Sequence, residues 1–121
     1  MEPVRSQAAL PHCDHLETEV RGPVALFRIS RPGKLNALTA AFWPQLRTLL
    51  DAAAAHPGIR AVVLTGSGGR SFSTGGDIEG FAELDGAAER RDFLDGCLRT
   101  FTAIEECRLP VIAAVNGWAL G

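Results

Sequence analysis

The sequence predicts an α/β fold, a mostly parallel sheet with crossover helices. Three observations predict it. Ala61–Leu64 and Val111–Val115 are short, continuous apolar runs rich in β-branched residues, stopped by Thr65-Gly66 and Asn116-Gly117, as in strands covered on both faces. Between them lies one long helical pattern. An alternating hairpin and a first helix precede them, so the order ββαβ(loop)αβ calls for parallel strands joined by crossovers.

The 121 residues make one domain at most. With 46% hydrophobic and 21% charged residues and a net charge of -2, the chain has an ordinary globular composition and no basic surplus for nucleic acid or an anionic membrane. Its three cysteines, Cys13, Cys97 and Cys107, lack CxxC spacing and read as reduced thiols. The N-terminus has no apolar signal region, and no apolar run reaches the ~18 residues that span a bilayer. These features place the chain in the cytoplasm as a soluble protein, with small molecules or proteins as partners.

Residues 1–15 show no periodicity and read as a flexible arm, with His12-Cys13-Asp14-His15 a solvated lead-in and no metal site, since no second Cys/His pair follows. Leu16–Val20 and Val24–Ile29 alternate about the turn Arg21-Gly22-Pro23, predicting an antiparallel hairpin that buries Leu16, Val20, Val24, Leu26 or Phe27, and Ile29. Thr39 is a candidate N-cap. Phe42, Leu46, Leu49, Leu50 and Ala53 then form the stripe of an amphipathic helix, with Pro44 confined to its first turn and His56-Pro57-Gly58 as its stop. His56 there is expected as a solvated cation at the helix C-terminus. After the central strand, Glu79–Gly86 allows a short helix at most. From Ala87 to Cys107, Phe93, Cys97, Phe101 and Ile104, with Leu94 and Leu98 beside them, predict a second long helix with Cys97 and Cys107 in or near the core.

The stretch Ile59–Ile78 is where chemistry is expected, because a buried strand runs into Gly66, Gly68, Gly69, Gly75 and Gly76 and closes on Asp77. Glycines let backbone N–H groups approach an anion. A P-loop needs a lysine before its hydroxyl residue, and Gly66-Ser67-Gly68-Gly69-Arg70-Ser71 has none. A dinucleotide fingerprint needs GxGxxG opening a helix, and Phe72-Ser73-Thr74 has no helical period. Asp77, directly after the glycine turn, reads as the N-cap of the short segment that follows.

Three motifs remain: Arg31-Pro32-Gly33-Lys34-Leu35-Asn36-Ala37-Leu38, Phe72-Ser73-Thr74-Gly75-Gly76-Asp77-Ile78, and Leu109-Pro110-Val111-Ile112-Ala113-Ala114-Val115-Asn116-Gly117-Trp118-Ala119-Leu120-Gly121. In this order, over about Leu16 to Gly121, they resemble the enoyl-CoA hydratase/isomerase family, the crotonase superfamily. The resemblance implies the N-terminal part of a crotonase-like ββα spiral that binds acyl-CoA thioesters and stabilises an enolate between two backbone N–H groups. On it, Gly76 matches the first oxyanion donor, the Thr74 carbonyl the contact to the adenine amine, and Lys34, Leu35 and Ala37 the segment along the pantetheine and phosphates. Gly75, Asp77, Ile78, Trp118 and Gly121 complete the implied substrate-binding set.

Glu79 departs from the family, where many members have a lysine that assists the CoA phosphates. The second oxyanion donor resembles the residue immediately after Gly121, and the acid/base carboxylates of hydratases lie further on. Residues 16–121 are therefore expected to be an incomplete crotonase-like domain, truncated after Gly121. The expectation is an acyl-CoA-binding chain with half an oxyanion hole, inactive alone, needing no cofactor because coenzyme A arrives on the substrate. Its parent is expected to be a homotrimer or dimer of trimers. The alternative is a non-catalytic assembly or regulatory chain that pairs with a full-length homologue.

Overall fold

The computed structural model describes residues 10–121. Of the arm expected over residues 1–15, residues 1–9 lie outside the described residues, while Leu10 and Cys13 pack against the core. Strand β1 (Leu16–Arg21) pairs antiparallel with β2 (Val24–Ile29), from Leu16 opposite Ile29 to Arg21 opposite Val24. Gly22, at φ +55, supplies the left-handed turn residue. Next, β2 pairs parallel with β3 (Ala61–Gly66), and β3 pairs parallel with β5 (Val111–Ala113). The sheet order is β1-β2-β3-β5. The alternation of β2 buries Ala25, Phe27 and Ile29, so Phe27 and not Leu26 faces the core.

Helix α1 (Phe42–Ala55) carries the expected stripe, and Phe42, Leu46, Leu49, Leu50 and Ala53 are all buried. Pro44 is its third residue, inside the first turn, where no intrahelical N–H is lost. Two local expectations need correction. The N-cap is Ala41 without a side-chain bond, and Thr39 lies two residues ahead of it in a turn, its carbonyl accepting the Phe42 N–H at 3.1 Å. His56 is buried, not solvated, since its Nδ1 accepts the Gly58 N–H at 2.9 Å and so folds the ring against the turn into β3.

Beyond β3 the chain forms β4 (Ser71–Ser73), α2 (Ile78–Ala82) and α3 (Gly86–Glu106), then β5 and β6 (Trp118–Ala119). A second, two-stranded sheet pairs β4 with β6 in parallel. Helix α3 lies against α1 through polar as well as apolar contacts. Arg47 Nη1 donates to the Gly96 carbonyl and to Thr100 Oγ1, both at 2.7 Å, and Thr100 Oγ1 donates to the Trp43 carbonyl at 3.0 Å. Thr100 is the one fully buried residue of α3, whereas Leu94, Leu98 and Phe101 are exposed and Phe93, Cys97 and Ile104 half-buried. The core expected along this helix is thus only half covered. Strand β5 stands last in the four-stranded sheet among the described residues, and Ile112 in it and Val115 beyond it are exposed.

Candidate functional site

The site grows from the segment after β2, whose chain must turn back under β4. Pro32–Lys34 form one 3-10 turn, and Leu35 and Asn36 follow at φ +51 and +61. Asparagine tolerates this left-handed region better than most residues. The buried Asn36 side chain then joins three segments: Nδ2 donates to the carbonyls of Ser67 (3.0 Å) and Ser71 (2.8 Å), and Oδ1 accepts the Arg31 N–H (2.9 Å). Asn116 does the same from the other side. Its Oδ1 accepts the Gly66 N–H at 3.1 Å and its Nδ2 donates to the Gly66 and Gly68 carbonyls. Gly66 itself leaves no room for a side chain, since a Cβ there would meet the Ser71 carbonyl oxygen at 2.4 Å.

Held between these clamps, Ser73–Asp77 runs beside Leu38. The Leu38 N–H donates to the Gly75 carbonyl at 2.8 Å and the Asp77 N–H to the Leu38 carbonyl at 2.9 Å, a parallel bridge centred on Gly76. The Gly75 N–H is spent on Ser73 Oγ at 3.0 Å. Alternation along the extended chain leaves the Gly76 N–H on the opposite side, with no hydrogen-bond partner among the described residues. Gly76 and Gly121 both line a cavity of about 240 Å³ whose other walls are mostly apolar. The adjacent glycines differ. Gly75 sits at φ +101 with Leu120 and Gly121 pressed against it, so a Cβ would meet the Gly121 carbonyl carbon at 2.8 Å; Gly76 has ordinary φ and open space.

Two ion pairs flank the cavity. Arg31 Nη1 donates to Asp77 Oδ2 at 3.1 Å and to the Ala37 carbonyl at 3.0 Å, joining the first motif to the second. The Asp77 carboxylate also accepts the N–H groups of Glu79 and Gly80, making it the N-cap of α2, as expected. The Arg31 hydrogen bond, opposed by desolvation and helped by those backbone donors, holds its carboxyl below the usual carboxylate range. Asp77 is therefore an anchored anion and not a free general base. Lys34 Nζ meets Glu79 Oε1 at 3.1 Å, with both side chains exposed.

Of the residues singled out from sequence, the fold brings Gly76, Asp77, Ile78 and Gly121 to the cavity wall. The Leu35 carbonyl accepts the hydroxyls of Ser71 (2.8 Å) and Thr74 (3.3 Å), which sets the Lys34–Ala37 turn against the Ser73–Asp77 segment. Trp118 stands apart: its backbone pairs with Ser71, its ring is exposed, and it does not line the cavity. Burial pushes the Cys97 thiol up from its ordinary value and so disfavours the thiolate. Sequence reasoning gave no role to Arg31, Asn36 or Asn116, nor to Phe81, Leu84 and Phe93 of the cavity wall. Only the polar residues left a signal: Asn116 stands alone among small and apolar types in its motif, and Arg31 and Asn36 share theirs with Lys34.

The model of the enoyl-CoA hydratase/isomerase family matches residues 19–121. The chain is 35% identical over 108 residues to a crotonyl-CoA hydratase of Syntrophomonas wolfei, covering 89% of this chain and 41% of that protein. It is 39% identical over 87 residues to a (7aS)-7a-methyl-1,5-dioxo-2,3,5,6,7,7a-hexahydro-1H-indene-carboxyl-CoA hydrolase of Mycobacterium tuberculosis, covering 72% of this chain and 35% of that one. Among solved structures, an enoyl-CoA hydratase from Bacillus anthracis superposes with a TM-score of 0.82 at 28% identity, over 89% of this chain and 42% of that one. The chain thus spans about two fifths of the length of the relatives it matches. A family model over nearly the whole chain, on a fold shared with solved members, leaves one assignment: this chain belongs to the enoyl-CoA hydratase/isomerase family.

Proposed function

We propose that the chain binds an acyl-CoA thioester with its carbonyl oxygen on the Gly76 N–H, contributing one half of an oxyanion hole. The observation that carries this reading is that unspent N–H, held between two spent neighbours on a residue that lines a largely apolar cavity. Charge builds on the thioester oxygen when an enolate forms, and a donor already fixed in place stabilises it without reorganisation. Lys34, Leu35, Ala37 and Thr74 line the route of the pantetheine and nucleotide, and coenzyme A enters with the substrate and not as a separate cofactor. The Glu79 carboxylate on Lys34 competes with a phosphate for that cation. Relatives named as a hydratase and a hydrolase leave the full-length reaction as acyl-CoA chemistry of this broad kind. We place that full-length protein in the cytoplasm, as a trimer or dimer of trimers; no described helix is long and apolar enough to cross a membrane.

The 121 residues alone are expected not to hydrate crotonyl-CoA above background, since one donor and no free carboxylate face the cavity. In a chain completed with the remainder of a relative, Gly76→Pro removes the donor and is expected to lower kcat about a hundredfold or more. Gly76→Ala keeps the N–H, meets open space at ordinary φ, and stays within a few fold of the parent. Equal kcat in the proline variant, with its circular dichroism intact, removes Gly76 from the oxyanion role. A second reading, a non-catalytic chain pairing with a full-length homologue, is favoured by the exposed apolar residues of α3 and β5. It requires a stoichiometric complex with such a homologue on size-exclusion chromatography.

A further inference from the structure

The cavity beside Gly76 has a wall of a definite chemistry. Leu38, Ala40, Ile78, Phe81, Leu84 and Phe93 line it, and its one charged side chain, Asp77, is already held by Arg31 and two N–H groups. At about 240 Å³ it is smaller than the ~300–1,000 Å³ of sites that hold whole drug-sized ligands. It suits one end of a thioester. A second, more open cavity of about 360 Å³ lies behind it, lined by Trp43, Pro44, Arg47, Glu89 and Asp92 among others. Ala40, Leu84 and Phe93 line both. Phe93 is the largest group in this shared wall, and its ring is fixed by a tilted contact with Phe81, centroids 5.7 Å apart.

We propose that the cavity selects an uncharged, hydrocarbon acyl chain of limited length, and that Phe93 is the partition that sets the limit by closing off the second cavity. This rests on the acyl-CoA reading above. Within the first cavity each added methylene leaves water for apolar wall, worth about fourfold in affinity. A terminal carboxylate would enter the same wall without a free cation or donor to meet it, and the cost of its desolvation cancels the gain. Beyond the partition Trp43 and Pro44 continue the apolar lining beside the charged Arg47, Glu89 and Asp92, so truncating Phe93 opens a path for a longer chain.

The test is calorimetric titration of the 121-residue chain with coenzyme A, then with acetyl-, butanoyl-, hexanoyl-, octanoyl- and decanoyl-CoA, and with succinyl-CoA. Saturated chains avoid turnover. Affinity is expected to rise about fourfold per buried methylene from acetyl, to level off before decanoyl, and to be no better for succinyl-CoA than for coenzyme A. Phe93→Ala is expected to carry the rise on to decanoyl-CoA, raising the ratio of decanoyl- to acetyl-CoA affinity about tenfold or more over the parent. Leu84→Ala, which thins the same wall from the connection between α2 and α3 without removing either ring of the aromatic pair, is expected to shift the limit the same way by a smaller step. Thioesters that all bind equally, whatever the acyl group, overturn the length filter and leave the acyl-CoA reading standing. Failure of every thioester to bind overturns both. An unchanged limit in both variants, with native circular dichroism, removes Phe93 from the role.

Discussion

Helices α1 and α3 carry similar apolar stripes in sequence and meet opposite fates in the fold. All five stripe residues of α1 are buried against the sheet, while α3 buries only Thr100 and leaves Leu98 62% exposed. The difference teaches that periodicity reports which face of a helix is apolar, not whether anything covers it. The N-terminal half of the domain supplies nearly all of the core, Leu16, Phe27, Ile29, Leu46, Leu49 and Val62 among it. The later half adds Leu109, packs Ile104 and Val111 against that core, and leaves Leu94, Leu98 and Phe101 of α3 exposed.

That contrast can be broken most directly by truncating one leucine on each helix. Leu49→Ala opens a hole under the sheet and is expected to cost about 3 kcal/mol, within the ~2–5 kcal/mol range of buried leucines. Leu98→Ala removes a side chain already in water and is expected to stay within ~0.5 kcal/mol. Urea unfolding monitored by circular dichroism measures both. A loss at Leu98 as large as at Leu49 would mean that α3 is covered, and the asymmetry between the halves would disappear.

A smaller effect separates the polar clamps from the apolar wall. Asn36→Ala removes one acceptor and two donors at once, leaving the Ser71 carbonyl buried without this partner and a side chain less suited to φ +61. The expected cost is about 2 kcal/mol. Because Asn36 also positions the segment opposite Gly76, the variant is expected to lose acyl-CoA affinity more than its stability loss alone explains. Retained affinity in the folded fraction would confine Asn36 to scaffolding.

How much of this was legible follows from the range of each interaction. The hairpin, α1 and both parallel strands were readable because periods of two and 3.6 are local. The N-cap role of Asp77 was readable because its partners are two and three residues away. Asn36 clamps carbonyls 31 and 35 residues off, and Arg31 reaches Asp77 across 46, so no local pattern could announce either. His56 misled even though its partner is local: a histidine at a helix end ordinarily faces water, and only the Gly58 N–H on its ring shows why this one is tucked in. The cavity wall was hidden by range, since Phe93 reads as a stripe residue and Phe81 belongs to no stripe until two helices bring their rings together.

The smallest predicted effect is the acid response of the clamp between the two halves, Asp77. Its carboxyl is lowered from the ordinary value, first by the Arg31 hydrogen bond, with the Gly80 and Glu79 N–H groups adding to it against desolvation. A depressed folded pKa means that the unfolded chain binds the proton more readily. The resulting stability is complete above the unfolded carboxylate range, near ~4, and is lost as pH falls through the folded value. Asp77→Asn keeps an acceptor for the cap but discards the charge, so it is expected to lower Tm at neutral pH by only a few degrees, about the effect of a weakened cap. Its distinguishing signature is the slope. Parent and variant are expected to converge on acidification below about pH 4, because protonation does to the parent what the substitution has already done. A gap that stays constant from neutral pH to pH 3 would mean that the charge of Asp77 contributes nothing, and that the link between Arg31 and α2 is steric.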